Sequence, residues 1–103
     1  MDFDATMSYL RVLADTEVMV SIGQTLERPV AHMSGMLSEP EDFSYQVDQE
    51  GVYAFRVGEH AGFFLRRLGF QSAWAEDDLA GREALRIEHE DTQVRVGPSL
   101  PTA

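Results

Sequence analysis

Along most of the chain, apolar and polar positions alternate in short runs that end at Gly, Pro or Asp. A period of two marks strands with one buried face, and several such runs at close spacing mark an all-β barrel or sandwich. From Glu17 to Ile22, Val18, Val20 and Ile22 fall on one face and Met19 and Ser21 on the other. After Pro29, the run "VAHMSGML" alternates less well, and Gly35 inside it predicts a bulge or sharp bend. In "FSYQVDQEGVYAFRV", Phe43, Tyr45 and Val47 share one face and Tyr53, Phe55 and Val57 another. Between them, Asp48-Gln49-Glu50-Gly51 fits a type I turn, with Gly51 as the left-handed residue beside it. Pairing Val47 with Tyr53 then sets Tyr45 opposite Phe55 and Phe43 opposite Val57. "FQSAWA", residues 70–75, reads as a further strand.

The stretch "ALRIEHEDTQVRV", residues 84–96, predicts a last hairpin turning at Glu90-Asp91. Ile87 then faces Val94 and Leu85 faces Val96. Arg86 faces Arg95, a like-charge pair that an acid from elsewhere in the fold can offset.

Two segments admit more than one element. Phe3, Met7, Leu10 and Ala14 recur at helical spacing, with Asp4 available as a cap, and we take residues 4–14 as a helix. The rival is a strand through "YLRVL". Residues 61–69, "AGFFLRRLG", can pair as a strand with 53–57. Arg66, Arg67 and Gly69 equally resemble the end of a helix. The whole reads as mainly β: a small single-domain antiparallel barrel or sandwich over residues 1–97, with a short N-terminal helix. The segment 98–103, with Pro98 and Pro101, reads as a flexible tail.

Composition narrows the function classes. A chain of 103 residues holds one domain, and its 44% apolar content is enough for a core. With no cysteine, disulfides, thiolate metal sites and cysteine nucleophiles are excluded together. No apolar run approaches the ~20 residues of a membrane span. Asp2 and Asp4 precede the first base, Arg11, which is unlike a signal peptide. A soluble, cytoplasmic protein is expected.

Eighteen acids face eight bases, and every base is Arg. Residues 1–51 carry ten acids against two arginines, a net of −8. Such a field disfavours nucleic acid and anionic membranes, whose binding needs clustered cations. It speeds encounter with a basic partner. General solubility, or adaptation to a salty host, accounts for the same charge.

No motif with a known mechanism is present: no phosphate loop, nucleophile elbow, paired metalloprotease histidines or calcium loop. The candidate ligands for a metal are His32, His60, His89 and Asp91. Strand alternation separates Glu88 from His89, so a solvated turn accounts for "EHED" better than an ion does. His60, in "GEHAG", reads as a turn residue, and His32 as a hydrogen-bonded core or interface histidine. The aromatics read as core rather than as a base-stacking platform, which sits in a positive groove. In Phe63-Phe64 the two rings point to opposite faces, which frees one for an interface.

The outline of a short helix and bent strands resembles Sm-like proteins. Their Asp–Asn loop and Arg-Gly turn are missing, so no family and no RNA binding follow. The expectation is a non-catalytic interaction module for a basic protein partner or a second copy, with no cofactor. Its surface would use Glu39, Glu41, Asp42, Asp48, Glu50 and Phe63. The alternative is a small-ligand or metal-binding β-barrel, possibly enzymatic, with His32 or His89 in its pocket.

Overall fold

The computed structural model describes residues 1–25, 28–77 and 81–98. Along the described residues the elements are α1 (Phe3–Val12), β1 (Glu17–Gly23), β2 (Ala31–Met36), β3 (Glu41–Asp42), α2 (Ser44–Val47), β4 (Val52–Val57), β5 (Ala61–Arg66), β6 (Phe70–Asp77), β7 (Glu83–His89) and β8 (Thr92–Pro98). The strands form two antiparallel sheets, ordered β2-β1-β8-β7-β6 and β3-β4-β5. The mainly β, single-domain reading with an N-terminal helix holds, and the sheets do not close into a true barrel. Among the described residues no helix is long and apolar enough to cross a membrane.

Helix α1 forms where its spacing predicts, with a different cap. Asp2, not Asp4, accepts a hydrogen bond from the Ala5 N–H at 2.8 Å. The cap must precede the first turn, so Asp4 falls inside it and pairs with Arg67 at 2.7 Å. Phe3, Met7 and Leu10 are buried. They join Val20, Leu85 and Ile87 of the larger sheet and Phe55 and Leu65 of the smaller one in a single core. Fully burying one such side chain is worth about 1.5–3 kcal/mol.

The sheets meet at two corners. At the first, the Gly58 N–H donates to the Met36 carbonyl and the Ser38 N–H to the Arg56 carbonyl, both at 2.9 Å. β2 keeps a regular register through Gly35 (Val18↔Gly35), with no bulge there. Gly35 is needed instead for close approach: at φ 150°, an added Cβ would lie 2.7 Å from the Gly58 backbone. At the second corner the chain bends between β5 and β6, and the Glu90 N–H donates to the Gly69 carbonyl at 3.0 Å. Residues 61–66 are therefore a strand, paired with β4 through Phe55↔Phe63 and Tyr53↔Leu65. The two arginines and the glycine belong to a strand end and a corner, not to a helix terminus.

The hairpin expected over 43–57 does not form. Tyr53 faces Asp42, not Val47, and Ala54 faces Glu41. The pairing stops at Asp42 because Ser44 diverts the chain. The Asp42 carboxylate accepts the Ser44 N–H at 2.9 Å, and the Ser44 hydroxyl accepts the Val52 N–H at 3.0 Å. A side chain thus replaces the ladder partner, and residues 44–47 coil into one helical turn. Asp48 ends that turn at φ 52°, while Gly51 takes the expected left-handed conformation at φ 71°.

The last hairpin has the expected register, Leu85↔Val96 and Ile87↔Val94. Arg86 and Arg95 do stand opposite each other, and Glu76 from β6 lies 3.6 Å from one and 3.4 Å from the other. Pro98 ends β8 opposite Val18, and the rest of the expected tail lies outside the described residues.

Candidate interaction surface

The end of the smaller sheet, the turn of α2 and the tip of the β7–β8 hairpin surround an open cleft of about 420 Å³. Val52, Leu65 and Val94 make its apolar floor, each nearly sealed from solvent. Val47 and Phe64 make its exposed walls, at 50% and 58% exposure. Phe64 is braced edge-on by Phe43, with ring centroids 5.6 Å apart. Of the pair expected to split between faces, Phe63 is the inward one, stacked on Phe55 at 5.1 Å. The exposed ring is therefore Phe64, and Phe63, expected on the surface, belongs to the core. Alternation predicted the split and left its direction open.

His89 lines the same cleft, and it is not at a solvated tip. Strand alternation turns it inward with Leu85 and Ile87, leaving it 9% exposed. Its Nε2 lies 3.0 Å from the Arg66 carbonyl oxygen. A carbonyl only accepts, so Nε2 carries the proton, and in the neutral ring Nδ1 is the acceptor. The bond clasps the hairpin to the end of β5. Glu90 and Asp91 are exposed, as a turn requires.

The other histidines lie elsewhere. His32 is exposed on β2, with its Nδ1 3.1 Å from the Ser21 hydroxyl. It is hydrogen-bonded as expected, but it neither reaches the core nor lines the cleft. A Ser–His pair becomes a nucleophile only with an acid to orient the ring and an oxyanion site, and this one lies on an open sheet face. His60, in the β4–β5 turn, sits 3.8 Å from Glu59, both almost fully exposed. Among the described residues no group of three or more His, Asp or Glu is placed to hold a metal ion.

Glu39, Glu41, Asp42, Asp48 and Glu50 are all exposed, on and around β3 and α2. Hydrogen bonding from Ser44, side chain and then backbone, holds the Asp42 carboxyl below its ordinary range. Tyr45 projects from α2 with 97% of its surface exposed. Alternation had assigned Tyr45 to the core face of a strand. The signal that redirects it is the pair Asp42 and Ser44, whose side chains bond to nearby backbone groups. Tyr45 shares one hollow of the surface with Asp48 and Glu50, and the cleft opens beside Val47 and Gln49.

No family model, curated protein or solved structure matches the chain.

Proposed function

We propose that the protein is a non-catalytic interaction module that docks a basic segment of a partner protein against α2 and its cleft. The reading rests on one observation. Tyr45 stands almost fully exposed beside Asp48 and Glu50, next to an apolar cleft walled by Val47 and Phe64. Exposed aromatics are enriched at interfaces, and a cation over a tyrosine ring contributes roughly 0.5–1 kcal/mol at an exposed site. The carboxylates add steering, and the cleft receives an apolar side chain between the cations of the incoming segment.

The test is fluorescence anisotropy with a labelled peptide of alternating Arg and Val, and a Glu/Val peptide as control. Binding of the basic peptide should weaken about fivefold or more between about 0.01 M and 0.15 M salt, as the screening length falls. Tyr45→Ala, and the double change Asp48→Arg with Glu50→Arg, should each weaken it further. Equal affinity for the acidic peptide, or indifference to both variants, overturns the reading.

The burial of His89 in the cleft favours a second reading, a small apolar ligand held beside the imidazole. The cleft's size falls within the roughly 300–1,000 Å³ of ligand pockets. A thermal-shift screen decides it: one compound that raises the melting temperature by several degrees, and loses that effect in Val94→Trp, would displace the docking reading.

A further inference from the structure

We infer that two copies of this chain associate by antiparallel pairing of their β5 strands. β5 is the last strand of the smaller sheet, and among the described residues no strand pairs with its outer edge. The Arg67 N–H donates to the Gly51 carbonyl at 2.8 Å, which fixes the parity of the β4–β5 ladder. Tyr53–Leu65 and Phe55–Phe63 are then hydrogen-bonded pairs, and the backbone groups of Gly62, Phe64 and Arg66 face away from β4. His89 bears this out by taking the outward Arg66 carbonyl. The N–H and C=O groups of Gly62 and Phe64 are left to the outside.

Two of the other edges are managed, and on the edge of β2 the Met36 carbonyl takes the Gly58 N–H. β3 is two residues long and both are acidic, and the Met1 ammonium bonds the Ala73 carbonyl on β6. β5 has six residues, "AGFFLR", with no proline and no charge before its last position, the kind of edge that recruits another strand.

The edge complements itself. With a twofold axis at Phe63, Gly62 of each copy pairs with Phe64 of the other, and each pair exchanges both backbone bonds. Phe64 then covers the bare Gly62 of the opposite strand, the aromatic–glycine arrangement that stabilises sheet edges. The same register brings Arg66 beside Glu59 and His60 of the other copy. Arg66 is loosely held within its own chain, 3.8 Å from Glu90. This charge complementarity between Arg66 and Glu59 across the twofold axis makes the second copy the occupant. Phe64 belongs to both surfaces: a bound copy narrows the cleft but leaves Tyr45, Asp48 and Glu50 free.

Sedimentation velocity over a concentration series tests the inference, with amide hydrogen exchange on the same samples. The chain should sediment as a monomer–dimer equilibrium, and protection of the Gly62 and Phe64 amides should rise with concentration while that of Leu65 stays constant. Phe64→Arg, at an exposed position, should weaken the dimer about tenfold or more. Glu59→Arg should weaken it about two- to fivefold, and adding Arg66→Glu should restore it. A monomer at every concentration overturns the inference, as does a dimer indifferent to Phe64→Arg or one without the amide signature. Tyr45→Ala should leave dimerisation intact while weakening basic-peptide binding, so either idea can fail alone.

Discussion

Tyr9 illustrates how one residue of α1 reports on the fold around it. Its hydroxyl donates to Glu83 at 2.9 Å. Burial first, and the Glu83 carboxylate second, push the phenol up from 10.0 to about 12. Between those values the unfolded chain loses the proton and the folded chain keeps it, so stability falls as pH rises through that window. Tyr9→Phe removes the group from both states. Urea denaturation of the two proteins at a series of alkaline pH values should show a shallower fall for Tyr9→Phe. Equal slopes would mean that Tyr9 is not held by Glu83 in solution. Glu76 acts by a related local rule: it stands between Arg86 and Arg95, and so makes a like-charge pair tolerable on the outer face of the large sheet.

Among the elements, α2 carries the most consequence for its size. One turn of four residues has little helical stability of its own, because nucleation is unfavourable. Ser44 holds it through the Val52 N–H. Ser44→Ala leaves that part-buried donor without its acceptor, which should cost about 1–3 kcal/mol. Chemical denaturation measures the loss, and amide exchange should show the Val52 amide opening first. A change below about 0.5 kcal/mol would show that α2 is held by its apolar contacts instead. Because α2 presents Tyr45, the same variant should also weaken basic-peptide binding.

Over the whole molecule the net charge of −10 sets the response to salt. Self-repulsion of a compact acidic chain destabilises it, and salt relieves that repulsion. The melting temperature should therefore rise by roughly a few degrees between about 0.01 M and 0.15 M salt and then level off, because the screening length has fallen from about 30 Å to about 8 Å. A rise that continues steeply into molar salt would instead mark adaptation to a salty host. Salt should weaken the basic-peptide complex while stabilising the fold, so the two effects separate in one set of titrations.

The register of the last hairpin, the inward face of β1 and the helical face of α1 were legible in the sequence. Each depends on near neighbours in the chain and on a hydrophobic period that admits only one buried side. The position of Gly51 was legible for the same reason, since only a local turn demands it. Three outcomes belonged to the tertiary structure. Phe43 to Val47 alternates like a strand, yet Ser44 supplies a backbone partner from eight residues away and coils the segment. Arg66 to Gly69 looks like a helix end, and only pairing with β4 makes it a corner. The burial of His89 and the exposure of Phe64 rather than Phe63 depended on which side of each strand met the other sheet. Alternation says that two faces differ. Packing against distant segments decides which one is covered.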